Sequence, residues 1–334
     1  MIIETYDILA GFDKIYIKIS YEFFNKLKIQ ILNKYKSLKE YNKKRLKINY
    51  STLKLEFKTN NYHSFQRILK IINDININKN ELYDNIKGFY YLGSHKKQYT
   101  IIPKEIVLNE QFIEGYALYL AEGDTGFNGK TRPRKLRFTN SDLSVIKLFL
   151  DWVKTYLPSN YFYLKVIMPQ DGNVNMIEVR KYLGLNQEQL RVSRGYYNKI
   201  IKYRLCVDNA IIIDLFLSIH KKIKKIVIND KELIIAYIRG MMIGEGTAYF
   251  NRSRYVRIEM RNEREIRYLN KLFLILGYQC EPSLRTTRKN MWSLYIGAKQ
   301  LRKYYEEIGF GVLEKRQKIL ENAVNKKLRV NQYC

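Results

Sequence analysis

Two stretches of the chain share one pattern of apolar and small residues. The first is "EGYALYLAEGDTGF", residues 114–127, and the second is "AYIRGMMIGEGTAYF", residues 236–250. Ala117, Ala121, Glu122 and Gly123 match Gly240, Gly244, Glu245 and Gly246: two small residues four apart, followed at once by Glu-Gly. Residues four apart share one face of a helix, and small residues on that face let two helix backbones come close. The positions between are apolar (Leu118, Tyr119, Leu120; Met241, Met242, Ile243), so each stretch predicts a largely buried helix. Gly123 and Gly246 read as the C-terminal stops.

The pattern after each helix also repeats. "YVRIEMR" alternates, with Tyr255, Arg257, Glu259 and Arg261 on one side and Val256, Ile258 and Met260 on the other, as in a half-buried strand. A helical stretch (264–278), two strand-like pieces around "SLRTTR" and "MWSLYIG", and a helix "AKQLRKYYEEIGF" follow. After Gly123 the same order recurs through "RKLRFTN", a helix over 142–157, "YFYLKVIM", "KIIKYRLCV" and the helical "NAIIIDLFLSIHKKI". The predicted fold class is α+β: two pseudo-symmetric αββαββα halves, residues 111–228 and 229–334, the first with an insertion at about 169–198. Repetition of this kind makes two unrelated helices with stray terminal glutamates a poor account of the pattern.

Before residue 111 the periodicity differs. In "YKSLKEYNKKRLKINYSTLKLEFKTNNYHSFQRILKIINDI" (35–75) a helical "SLKEYNKKRL" leads through a brief turn to a second helix, "STLKLEFK". Asn49 or Ser51 is the expected cap. "SFQRILKIINDI" forms a third helix. This order resembles the helix-turn-helix of phage-repressor-like DNA-binding domains, although the turn lacks the usual Gly. The resemblance implies that Tyr50, Ser51, Thr52, Lys54 and Lys58 face DNA; a small helical bundle packed on the rest is the alternative. Residues 1–83 are expected to be this mainly helical domain. Residues 84–110 are expected to be a linker, with Gly93, Ser94 and Pro103 as loop residues.

Charge narrows the class of partner. Lys and Arg total 60 against 32 acids, a net charge of +28, which favours a polyanion and most often nucleic acid. A genome rich in A and T accounts for some of the lysine but not for the shortage of acids. No run of about 18 apolar residues is present, and the longest candidate, 210–219, contains Asp214, so no membrane partner is expected. The start "MIIETYDILAGF" lacks the basic opening of a signal peptide, so an intracellular, cytoplasmic protein is expected. Cys206, Cys280 and Cys334 are too scattered for a disulfide framework or a zinc site, and three histidines argue against a His-rich metal site. On the predicted sheets, one face carries Lys135, Arg137, Lys165, Lys202, Arg204, Arg257, Arg261 and Arg285, interleaved with Tyr161, Tyr163 and Tyr255. Two such sheets side by side would form a long basic saddle for DNA, which strands can read.

The paired glutamates carry the candidate chemistry. If the two helices pack in parallel, Glu122 and Glu245 emerge together at negative helix ends. That arrangement is unfavourable unless a cation offsets it, and paired carboxylates with open positions hold Mg²⁺ beside phosphate. Glu122 and Glu245, with the adjoining Gly123 and Gly246, are therefore the candidate site for Mg²⁺ (or Mn²⁺).

These motifs, "YIRGMMIGEG" and "GYALYLAEG", resemble the paired LAGLIDADG motifs of homing endonucleases. The resemblance runs over roughly residues 111–321. It implies two motif helices at the interface of the halves, sheets straddling a long double-stranded DNA site, and a single-chain monomer. It also implies that Glu122 and Glu245 are catalytic metal ligands, each activating a water for attack on one scissile phosphate. Ala117 stands where Gly is usual. The family also places a basic residue near each site, for which Lys135, Arg137, Lys202 and Arg204 are candidates in the first half and Arg257, Arg261 and Lys289 in the second. A member that binds DNA or RNA without cutting, such as a maturase or a helix-turn-helix regulator, is the alternative. The ends, Met1 and "VNQYC", lack the splicing residues of an intein, so a free-standing protein is expected.

Overall fold

Side-chain caps fix where the helices begin. Asn109, Asp230 and Asn262 each accept backbone N–H groups of the first turn that follows, and Glu110, Glu232, Glu263 and Glu265 put negative charge there. The computed structural model describes residues 1–59, 62–91, 100–124, 135–158, 160–196, 199–251, 253–286 and 288–325. The chain divides into two units: Met1–Val107 with Tyr156–Asn160 and Asn209–Ser218, and Leu108–Thr155 with Tyr161–Asp208 and Ile219–Cys334.

The first unit runs β1 (Ile2–Glu4), α1 (Thr5–Ala10), β2 (Ile15–Ile19), α2 (Tyr21–Tyr35) and α3 (Leu38–Tyr41). A π-helical turn (Asn42–Leu46) leads to α4 (Tyr50–Thr59), β3 (His63–Ser64), α5 (Phe65–Asp74), α6 (Lys79–Asp84), β4 (Ile86–Tyr91) and β5 (Glu105–Val107). Two of its elements correct the sequence reading. Residues 84–110, expected as a linker, supply β4, which pairs with β2 in a three-stranded sheet β3-β2-β4, and β5, which pairs with β1. A buried isoleucine row, Ile15, Ile17 and Ile19, holds that sheet to the helices, so β4 belongs to the fold of this unit. Gly93 and Ser94 lie outside the described residues.

The expected helices of 35–75 are present. The N–H of Ser51 donates to the Asn49 side chain (2.9 Å), which makes Asn49 the cap of α4. Instead of the missing Gly, Lys47 takes the left-handed conformation (φ 54°) that ends the π-helical turn, at a cost of about 1–2 kcal/mol. Asn42 supports the turn by donating to the carbonyl of Ile48 (2.8 Å).

The second unit begins with α7 (Glu110–Glu122), β6 (Leu136–Asn140), α8 (Leu143–Tyr156), β7 (Phe162–Met168), α9 (Met176–Leu183), β8 (Leu190–Arg194), β9 (Lys202–Val207) and α10 (Ala210–Val227). It continues through α11 (Lys231–Glu245), β10 (Gly246–Phe250), β11 (Arg254–Met260), α12 (Glu263–Ile275), β12 (Ser283–Leu284), β13 (Trp292–Gly297), α13 (Leu301–Glu307) and α14 (Glu314–Asn325). The sheets are ordered β6-β9-β7-β8 and β10-β11-β13-β12. The first strand expected after Gly123 falls largely on residues 125–134, outside the described residues. A single antiparallel bridge joins Gly123 to Phe138, and Gly246 pairs with Ile258 in the same way.

The insertion does more than interrupt the first half. It folds back as α9 and adds β8 as an edge strand parallel to β7. Helix α14 is a further element, and its apolar face (Leu320, Ala323) is buried while α14 packs along β10.

Candidate active site at the two-helix seam

Helices α7 and α11 pack through their small residues. A Cβ on Gly240 would stand 2.2 Å from the carbonyl oxygen of Glu114 and 2.9 Å from the Ala117 Cβ. One turn on, a Cβ on Gly244 would stand 2.5 Å from the Ala121 Cβ and 3.1 Å from the Glu122 Cγ. Gly240 therefore faces Ala117, Gly244 faces Ala121, and the helices run parallel. At the other end of the seam Arg239 donates to Glu114 across it (3.2 Å).

The parallel seam ends in two carboxylates. Glu122 and Glu245 are the last residues of their helices, and Gly123 and Gly246 follow in extended backbone (φ −83° and −78°). Glycine is needed there for space, not for a left-handed turn. A Cβ on Gly246 would lie 2.4 Å from the Met242 carbonyl, and one on Gly123 would lie 2.4 Å from the Tyr119 carbonyl. Chain direction changes from helix to strand at Gly246 with no loop between α11 and β10.

Both carboxyl groups resist ionisation. Burial, followed by the charge of Glu245, pushes Glu122 up to about 7, against the opposing pull of Arg316, Lys202 and a hydrogen bond from Asn140. That bond runs from Asn140 Nδ2 to Glu122 Oε1 (3.1 Å). Glu245 reaches solvent, yet the surrounding protein removes enough water to raise its carboxyl too, with Arg316 opposing. The Arg316 guanidinium rises from α14 to the end of α11 and donates to the carbonyls of Ile243 (2.9 Å) and Met242 (3.3 Å). A cation at a helix C-terminus answers the negative helix end that made Glu245 look misplaced.

The donor chemistry fits a hard divalent cation. Two adjacent carboxylates whose protons are held too tightly gain from a positive charge between them, and Mg²⁺ or Mn²⁺ takes such oxygens while keeping water and phosphate in its other positions. Among the described residues, no group of three or more His, Cys, Asp and Glu side chains is placed to hold a metal ion.

The basic residues fall on one face of each sheet. Lys165 stands opposite Arg204 and Arg204 opposite Thr139, while Arg204 Nε donates to Thr139 Oγ1 (2.9 Å). Arg137 and Lys202 share that face, and Leu136, Phe138, Leu164 and Leu205 are buried behind it. Lys135 pairs with Asp208 (2.8 Å), and Arg137 lies 3.8 Å from Asp124. In the second sheet Arg257 and Arg285 reach Glu259 (3.4 and 3.2 Å), and Arg285 donates to the Tyr295 hydroxyl (2.9 Å). Arg261 and Lys289 are exposed beyond β11 and before β13. On α4, Ser51, Thr52, Lys54 and Lys58 are exposed and Tyr50 is half-buried, with Leu53 and Phe57 turned inward.

Of the basic candidates, Lys202 is the one whose charge acts on Glu122. Arg316, which acts on both glutamates, was missed because it follows the last helix of the repeating pattern, residues 298–310. Asn140 was missed because a strand-end Asn looks like a turn residue. Arg191 was missed because β8 read as insertion; its guanidinium lies 3.7 Å over the ring of Tyr163.

Residues 232–309 match a family model described as a LAGLIDADG-like domain. The matched stretch takes in nearly all of α11, the whole second sheet and α13. No curated protein sequence matches the chain. Among solved structures, I-DmoI in complex with DNA and Mn is 14% identical, covering 61% of this chain and 98% of its own, with a TM-score of 0.40. The homing endonuclease I-WcaI bound to its DNA recognition sequence is also 14% identical, covering 64% of this chain and 88% of its own, with a TM-score of 0.40. The N-terminal LAGLIDADG domain of WhiA is 13% identical, covering 65% and 84%, with a TM-score of 0.34. Among the described residues, no helix is long and apolar enough to cross a membrane.

Proposed function

We propose that the protein is a site-specific endonuclease of homing type that cuts both strands of duplex DNA as a monomer, with Mg²⁺ or Mn²⁺ at Glu122 and Glu245. The observation that carries this reading is the meeting of two proton-hungry carboxylates at one end of a close-packed parallel helix pair, in a chain of net charge +28. When bound, the cation supplies Lewis acidity and a water of lowered pKa. The carboxylates of Glu122 and Glu245 hold the site's negative charge, and the adjoining Gly123 and Gly246 let the backbone leave without covering it. In the reaction a water oxygen bonds to phosphorus and one bridging P–O bond breaks. The leaving oxygen takes up a proton and the attacking water gives one up.

DNA is held, in this reading, by Lys135, Arg137, Lys165, Lys202, Arg204, Arg257, Arg261 and Arg285 on the sheets. Tyr50, Ser51, Thr52, Lys54 and Lys58 on α4 make a second contact of helix-turn-helix type.

The test is incubation with Mg²⁺ or Mn²⁺ and duplexes selected by the protein from random-sequence DNA. Double-strand breaks are expected, abolished by Glu122→Gln or Glu245→Gln with binding retained. Binding without breaks under either metal would reject the reading. The second reading is a non-cleaving nucleic-acid-binding protein. Loss of binding, rather than cutting, in the Gln variants would mean that the glutamates are structural.

A further inference from the structure

Strand β11 alternates buried Val256, Ile258 and Met260 with half-buried Tyr255, Arg257 and Glu259 on its outer face. Glu259 is a carboxylate on a face otherwise rich in arginine, and three guanidinium groups gather on it. Arg257 Nε and Arg285 Nε approach the same oxygen, Oε1, at 3.4 and 3.2 Å, and Arg288 Nη1 lies 3.5 Å from Oε2. Tyr295, which stands opposite Arg257 on β13, accepts from Arg285 Nη1 (2.9 Å). Arg257 Nε and Glu259 Oε1 are buried, and neither completes a hydrogen bond among the described residues. A donor and an acceptor left so close gain from any partner that fixes the guanidinium planes.

The fold does not demand this cluster. Gly123 pairs with Phe138 and Gly246 with Ile258, so Thr139 holds in the first sheet the place that Glu259 holds in the second. There Arg204 Nε donates to a neutral hydroxyl instead (2.9 Å). Phosphate contact does not call for a carboxylate either, because an acid on a DNA-facing surface repels the backbone. What a carboxylate supplies is direction. An arginine held through Nε presents its terminal Nη1–Nη2 edge in a fixed plane. Guanine shows two acceptors, O6 and N7, on its major-groove edge, spaced for such a fork, and no other base does.

We infer that Arg257 and Arg285 read guanine in the major groove, and that Glu259 acts through them as a positioning residue that sets which base the second sheet accepts. This rests on the reading above only in so far as the sheets hold duplex DNA, and it does not depend on cutting. Glu259 weakens attachment to DNA at large and sharpens the choice among sequences.

The experiment selects duplexes from random-sequence DNA with the natural protein and then measures equilibrium binding of the natural protein and its variants without metal. Guanine should dominate the selected duplexes at one or two fixed positions. Exchanging such a G·C pair for A·T should weaken binding by the natural protein about tenfold or more. Arg257→Lys and Arg285→Lys, which keep the charge and lose the fork, should each remove guanine preference at one of these positions. Glu259→Gln should remove most of the preference too, while its binding to unselected duplex becomes tighter. A merely structural glutamate would instead weaken selected and unselected duplexes alike. That result overturns the inference and leaves the endonuclease reading standing. So does full guanine preference in the lysine or glutamine variants, or no guanine preference in the natural protein. Guanine preference that follows these variants in a protein that never cuts supports the inference and rejects the endonuclease reading. Failure to bind any duplex rejects both.

Discussion

Gly244 leaves no room for a side chain. Its missing Cβ would collide with Ala121 at 2.5 Å, and both atoms belong to rigid helices. Gly244→Ala is expected to force α7 and α11 apart and destabilise the fold by about 1–3 kcal/mol, read from urea unfolding. Glu122 makes a second residue-scale prediction. Its carboxyl is raised to about 7 in the folded protein from an ordinary value of 4.5, so between those values the folded state keeps a proton that the unfolded state has lost. Stability without metal should thus be fully supported by this group below about pH 4.5 and fall as pH rises towards about 7. Thermal melts at pH 5 and pH 8 should show the drop. Glu122→Gln should reduce it to the part that Glu245 contributes, and Mg²⁺ should restore stability at the higher pH. A melting temperature independent of pH across this window would contradict the raised carboxyl.

At the scale of elements, Arg316 ties α14 to the end of α11. Arg316→Met should cost about 1.5–3 kcal/mol, the worth of hydrogen bonds to a charged group, in denaturant titration. It should also raise the proton affinity of Glu245, since the cation that opposes its burial is gone. Much at this scale was legible in the sequence. The seam could be read because small residues four apart and a following Glu-Gly occur twice. The alternation of Val256, Ile258 and Met260 against Arg257 and Glu259 put β11 and its faces in view. Helix α14 has the spacing of a helix, but nothing in that spacing says that Arg316 points to a seam seventy residues earlier. Strand β8 was hidden because its pairing with β7 is parallel and crosses a helix, a contact that local periodicity does not encode. The amide of Asn140 became part of the site only through strand register.

At the scale of the whole molecule, the first unit is not one continuous stretch of chain. It includes Asn209–Ser218, where Ile211, Ile212, Ile213, Leu215 and Phe216 are all buried. Residues 1–107 produced alone lack that segment and should show a weak, broad transition in calorimetry, whereas the full chain should not. A sharp transition for the fragment would mean that the segment contributes little to the core. Adding residues 84–107 to a fragment of 1–83 should still matter, because β4 completes the sheet with β2 and β5 pairs with β1. The sequence missed this because glycine and proline in the segment read as loop, while pairing between distant strands left no local trace. The direct junction of α11 and β10 at Gly246 has a consequence for protein engineering. With no slack between helix and strand, a single inserted residue would rotate the strand's faces relative to Glu245. Motif helix and first strand can therefore be exchanged between chains only as one cassette, and recombination points belong in the turn after Phe250.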